Sequence, residues 1–322
     1  MAQKYSAQQP NSFEEMVEQI EKYIRGEINR ETEVKQLHYH NIAHALQVKR
    51  RAEYIFQAIK PVLAQDYSAL ELRRIKNIIS ICALAHDMVQ IFELTPVNHS
   101  RKRCSGASEM ETANKLLRYV QNLNLDLASS KGDHSFVFSD REQQIIREAI
   151  LATICVPDPY GSRTENVSAS PSIYQPYLYN SDKKISLVGG IIALADLGTL
   201  GMDGAEAYIQ DGISIFLEDN PHFQQLIRSC DRFDSTQQAE IKAQLLNMSR
   251  FIVALAYERQ ARFEPEIAGF AFDIRQILRH QVFIHLNQES IDRVEALVPS
   301  KTETRYSELI NFFSSKIYAI GD

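Results

Sequence analysis

Cysteine is scarce. Cys82, Cys104, Cys155 and Cys230 are the only four in 322 residues; they lie far apart with no CxxC pair, and two sit inside apolar helix-period runs. That pattern argues against a disulfide framework and suits a reducing cytoplasm. Long basic runs and aromatic-basic stripes are also missing. With 35 Lys and Arg against 41 Asp and Glu, and a formal net charge of −6, nucleic acid is not expected as a partner. There is no apolar leader: MAQKYSAQQPNS reads as a disordered lead over residues 1–11, not a signal peptide. The longest apolar stretch, ISLVGGIIALADLGTLG, is broken by two glycines and an aspartate. It falls short of the roughly 18 clean apolar residues a span requires, so no membrane association is expected. Strand alternation, hairpin turns and internal repeats are absent as well.

What remains is helix. An apolar content of 44% supplies a core, and a small polar residue followed three positions later by Glu recurs at Ser12/Glu15, Ser68/Glu71, Ser108/Glu111, Ser139/Glu142 and Asp203/Glu206. Each opens a helix-period run; in the first, Phe13, Met16, Val17, Ile20 and Ile24 form one stripe. Asn220 followed by Pro221 marks another helix start, and helical spacing returns at about 238–262, 270–283 and 306–317. The expected fold class is all-α: a helical core over 12–230 with a C-terminal helical extension, 231–322, packed on it. Residues 157–184, with Pro157, Pro159, Pro171 and Pro176 among Tyr160, Tyr174, Tyr177 and Tyr179, read as a long loop.

The chemistry starts at YHNIAHALQV. Residues four apart on a helix project roughly 40° apart, so His40 and His44 are expected on one face. Alone, they fit two half-buried histidines of an amphipathic helix. In IISICALAHDM, however, an apolar run from Ile78 to Ala85 ends in His86 and Asp87, and ALAD places Asp196 among apolar residues with no Lys or Arg nearer in the sequence than Lys184. A carboxylate taken into such surroundings costs several kcal/mol unless it is paired or binds a metal. Two His and two Asp make a plausible N2O2 set for one divalent ion, with Mn, Mg, Zn and Fe all acceptable.

The order His44, His86-Asp87, Asp196 resembles the H…HD…D signature of the HD-domain metal-dependent phosphohydrolases over roughly residues 35–200. More locally, YHNIAHALQV is similar to the YHNxxHAxxV segment of class I cyclic nucleotide phosphodiesterases. That resemblance implies His44 as a metal ligand and His40 as the acid that protonates the leaving oxygen. Tyr39, which opens the motif, joins the substrate-side candidates. Thr153 in ILATICVPD and Gln260 in RQARF fall where those enzymes carry a pocket Thr and a base-reading Gln. Where they have a His three residues after HD, this chain has Gln90, which favours one metal over two and leaves Gln90 as a further substrate-side candidate. Segments like HPGxxN and LExHH, the Glu-Asp pair of the alarmone hydrolases and the HD-GYP signature are not found. His99 and His134 lie in polar stretches and are not counted as ligands of a diiron site. Arg101, Lys102, Arg103 and Arg163 could hold a phosphate or be solvated loop charges; Arg101 and Arg103 are retained as candidates.

The expected activity is hydrolysis of a phosphate mono- or diester of a nucleotide or related small molecule, with Asp87 both holding the metal and orienting water. The alternative is a catalytically weak HD-fold module that binds a nucleotide or other phosphorylated ligand for regulation. A homo-oligomer is compatible with either.

Overall fold

The described residues of the computed structural model are 10–94, 100–131, 136–157, 173–179, 185–228 and 234–319. The expected lead lies outside them apart from Pro10 and Asn11, as do His99, His134, Arg163 and Cys230.

The fold is all-α. Helices α1 (Phe13–Lys35), α2 (Ile42–Leu63) and α3 (Ala69–Ala85) are followed by α4 (Ala107–Lys131), α5 (Asp140–Leu151) and α6 (Leu187–Asp196). Then come α7 (Thr199–Asp203), α8 (Ala205–Asp219), α9 (His222–Arg228) and α10 (Ser235–Ile267). Last are α11 (Phe272–Ile277), a π-helical segment at Leu278–Val282, α12 (Gln288–Leu297) and α13 (Tyr306–Ala319). Two strand pairs interrupt the series: β1 (Phe92–Leu94) runs antiparallel to β2 (Arg101–Arg103), and β3 (Val156–Pro157) to β4 (Ile173–Tyr174). Strands of two or three residues are too short to show alternation, which is why the sequence reading found none. The pairing of β3 with β4, and a 3-10 turn at Pro176–Tyr179, also give part of the expected long loop regular structure.

Helix starts follow local chemistry where nothing stronger competes. Ser68 with Glu71 and Ser139 with Glu142 form complete capping boxes. Ser12 accepts from Glu15 N (3.1 Å), while Glu15 reaches back to Asn11 N (2.6 Å). Two expected caps are corrected. Ser108 lies inside α4, and its hydroxyl accepts from Ile91 N (2.9 Å), tying the turn after His86-Asp87 to that helix. Asp203 is drawn to Arg51 Nε (2.7 Å) and Arg50 Nη2 (2.5 Å), so α8 starts at Gly204, φ 89°, without a side-chain cap. Two guanidiniums bring full opposite charges to that carboxylate, where the cap position would offer it only backbone N–H groups.

The α1 stripe is buried as its spacing predicts, and so are every residue from Ile78 to Ala85 on α3 and from Val188 to Ala195 on α6. Each large apolar side chain in those runs contributes about 1.5–3 kcal/mol on burial. Helix α2 packs against both α3 and α6, and this three-helix contact brings the chemistry together. A second apolar cluster is built from α7, α8 and α9 with α10, α12 and α13. Helix α10 serves both clusters: Ile241, Leu245, Ile252 and Ala256 lie in the second, Phe263 and Ile267 in the first. Two glycines permit close approach near Asp196, since a Cβ on Gly190 would meet the Phe270 ring at 2.7 Å and one on Gly201 the Phe283 ring at 2.7 Å. Among the described residues, no helix is long and apolar enough to cross a membrane.

Candidate metal centre

Asn41 decides where α2 begins. Its Oδ1 accepts from Ala43 N (2.9 Å) and His44 N (3.2 Å), making it the N-cap. His44 therefore sits in the first turn of α2. The expectation that His40 shares its helix face is corrected, because His40 precedes the cap in non-helical chain. Both imidazoles nevertheless approach the same carboxylate: His44 Nε2 lies 3.4 Å and His40 Nε2 3.6 Å from Asp87 Oδ2. His86 and Asp87 come from the end of α3, and Asp196 is the last residue of α6.

One ligand atom from each of His44, His86, Asp87 and Asp196 lies within 4.8 Å of all the others. His86 Nε2 is 2.9 Å from Asp87 Oδ2 and 3.4 Å from Asp196 Oδ1; His44 Nε2 is 3.9 Å from Asp196 Oδ1. Donors bound at about 2.1 Å sit about 3.0 Å apart in an octahedron and about 3.4 Å apart in a tetrahedron, so the spacing fits one divalent ion.

Hydrogen bonding makes the same case. His86 Nδ1 lies 2.8 Å from Ala83 O, and since a carbonyl only accepts, that nitrogen carries a proton and the ring is held with Nε2 toward the two carboxylates. Among the described residues neither His44 Nε2 nor His86 Nε2, both buried, has a hydrogen-bond partner; the contacts to the carboxylates lack hydrogen-bond geometry. An orphaned buried polar atom costs about 1–3 kcal/mol, and a cation among these four groups removes two such costs together.

Each carboxylate is held by one oxygen and offers the other. Gln90 Nε2 donates to Asp87 Oδ1 (3.0 Å), and Gln175 Nε2 donates to Asp196 Oδ2 (2.9 Å). Burial would raise the Asp87 carboxyl, but the imidazoles around it, His86 first and then His40 and His44, hold it well below the usual carboxylate range. Burial likewise opposes charge on His86, where Asp87 and Asp196 prevail and raise it well above the usual imidazole value. At His44 burial wins, and its pKa is lowered.

His40 is organised from its other side. Its Nδ1 lies 2.5 Å from Glu218 Oε1, and Glu218 Oε2 accepts from the backbone N–H groups of Tyr39 (2.8 Å) and His40 (3.0 Å). Glu218 is fully buried. That burial would raise its pKa, but His40, then Arg103 and the Tyr39 N–H, bring it down to about 2. Arg103 Nη1 stands 3.1 Å from His40 Nε2, with Nη2 on Asp219 (3.0 Å). The Tyr39 ring packs 4.2 Å from that of His44.

Of the residues picked from the sequence, His40, His44, His86, Asp87, Asp196, Tyr39, Gln90 and Arg103 are thus brought together. Three others have different contacts. Thr153 is buried and its hydroxyl donates to Ile150 O (2.8 Å). Arg101 lies over the Phe92 ring at 5.4 Å, and Gln260 is half-buried on α10. Glu218, Gln175 and Glu109 were missed. Glu109 feels the same carboxylates: burial raises it, and the charges of Asp87 and Asp196 raise it further. Glu218 ends the apolar run ISIFLE, a signal of the same kind as HD; Gln175 carried none.

Compared with protein-family models, with curated proteins and with solved structures, the chain matches none.

Proposed function

We propose that the protein is a metal-dependent phosphohydrolase of the HD type, acting on a phosphate mono- or diester of a nucleotide or related small molecule. The observation that carries this reading is the pair of orphaned buried nitrogens, His44 Nε2 and His86 Nε2, converging with one oxygen each of Asp87 and Asp196. A divalent ion held there supplies Lewis acidity and a water of lowered pKa.

The chain's own groups do the rest. Glu218 stays ionised and accepts from His40 Nδ1, which holds the imidazole in one orientation. His40 Nε2 faces the centre and accepts from Arg103 Nη1; once that guanidinium turns to a phosphoryl oxygen, the nitrogen is free to carry the proton for a departing alkoxide. Arg103, beside that nitrogen, offers a cation to a phosphoryl oxygen. Gln90 keeps Asp87 turned so that Oδ2 faces the histidines.

The test joins elemental analysis of the purified protein to turnover of generic phosphomonoesters and phosphodiesters with added Mn or Mg. The expected result is about one equivalent of metal with turnover. Asp87→Asn should lose metal and activity together, whereas His40→Gln should keep the metal and lose about 10²–10⁴ in rate. A wild-type protein that takes up no metal refutes the scheme. One observation favours the regulatory alternative: Gln90 occupies Asp87 Oδ1 with an amide that cannot ligate a second ion as a histidine could. Metal uptake without turnover selects that module.

A further inference from the structure

Gln175 reaches the metal centre from the proline-rich segment between α5 and α6. It is fully buried, and its Nε2 donates to Asp196 Oδ2. Because a carboxylate only accepts, the amide N–H must face Asp196, which fixes Oε1 on the other side. That Oε1 is buried and has no hydrogen-bond partner among the described residues. An unpaired buried acceptor is a penalty that a leucine filling the same space would avoid. Packing therefore does not account for an amide here.

The placement of Gln175 is set from a distant part of the chain. It stands between β4 and the 3-10 turn, and Tyr179, at the end of that turn, donates through its hydroxyl to Glu266 Oε1 (2.9 Å). Glu266 is buried and gripped by Arg259 Nη1 and Nη2, each at 2.6 Å. Arg262 lies over the Tyr174 ring at 5.4 Å. Arg259, Arg262 and Glu266 all belong to α10. A buried ion pair is weak grounds for stability, whereas fixing one geometry is a use it serves well.

We infer that Gln175 is a positioning residue of the metal centre. It holds Asp196 through Nε2, keeps Oε1 as an acceptor for a donor of the bound ligand, and is set in place from α10 by the Arg259–Glu266–Tyr179 relay. The inference rests on the metal-centre reading above and assigns α10 a part in that site.

The experiment is a calorimetric titration of Mn²⁺ into the metal-stripped full-length chain, with melting curves of each metal-free variant. Gln175→Leu should weaken Mn²⁺ binding about 10–100-fold, the loss typical of groups that orient metal ligands. Its metal-free melting midpoint should change little, because loss of the orphan acceptor is offset by loss of the Nε2 donor to Asp196 Oδ2. Tyr179→Phe, which removes only the relay's hydroxyl, should weaken binding about fivefold, the equivalent of one neutral hydrogen bond. Should Gln175→Leu fail to fold, Gln175→Asn withdraws the amide by one carbon and carries the same test.

Wild-type affinity in a folded Gln175 variant overturns the positioning role, as does a destabilised variant that binds normally. Tighter binding in Gln175→Glu makes the side chain a direct ligand and overturns it too. Wild-type affinity in Tyr179→Phe removes the relay. A wild-type chain that binds no Mn²⁺ refutes the metal centre itself, and that failure is seen before any substitution is made.

Discussion

Replacing Glu218 with Gln removes one charge from a fully buried site with little change of shape. The carboxylate accepts from two backbone N–H groups and from His40 Nδ1, with Arg103 Nη2 at 3.5 Å from its Oε1. An amide can satisfy one of those sides but must turn its own NH2 against a donor on the other. A folded pKa of about 2 against an ordinary value near 4.5 corresponds, at 1.36 kcal/mol per unit, to about 3 kcal/mol of stabilisation. The sign follows from the direction of the shift. Because the folded pKa is depressed, this contribution is fully present above about pH 4.5 and drains away as pH falls toward 2. Urea unfolding followed by helical circular dichroism should therefore show Glu218→Gln less stable than wild type by about 3 kcal/mol at neutral pH, with the gap narrowing between about pH 5 and pH 3. A gap that stays constant over that window refutes the reasoning, since only the ionised form makes these bonds.

Two further substitutions test the frame around the centre. Arg51 is fully buried, donates to Asp203 (2.7 Å) and to Ala195 O (3.3 Å), and stands 3.9 Å from Asp211. Arg51→Leu should cost about 3 kcal/mol in urea unfolding, because Asp203 would keep only the exposed Arg50 and Asp211 would lose its nearby cation; a loss below about 1 kcal/mol would mean that water replaces the guanidinium. Gly201→Ala should gain about 1 kcal/mol of helix propensity but push the Phe283 ring from 2.7 Å, so overpacking of about 1–3 kcal/mol should leave the variant less stable. A raised melting midpoint would show that the ring moves aside freely.

The four groups that could hold a metal were legible because polar residues at the end of long apolar runs are anomalies. Ile78–Ala85 ending in His86-Asp87, and the α6 run ending in Asp196, oblige the fold to pair those groups or let them bind something. The same logic reads helix caps when the partner is local, as at Ser68 and Ser139, and fails when a distant group competes, as Arg50 and Arg51 do for Asp203. Glu218 illustrates the limit. It closes an apolar run on α8 as His86-Asp87 closes one on α3, but nothing local says what it pairs with, and its partners Tyr39 and His40 lie nearly 180 positions earlier in the chain.

Gln175 extends that limit to a residue with no anomalous context. PSIYQPYLY reads as loop, and an amide in a loop is normally solvated; only the folded chain puts it on Asp196 with Tyr179 anchored to α10. Both omissions have one physical cause. Ligands are selected against an apolar background that periodicity reveals, whereas the groups that orient them answer to tertiary neighbours. Glu218 on α8 orients His40, and Glu266 on α10, through Tyr179, orients the segment carrying Gln175. The ligands come from α2, α3 and α6, and both orienting carboxylates come from helices later in the chain. Truncating the chain after α6 would therefore keep every ligand and remove both carboxylates, so helical content without high-affinity Mn²⁺ binding is the expected outcome for such a fragment.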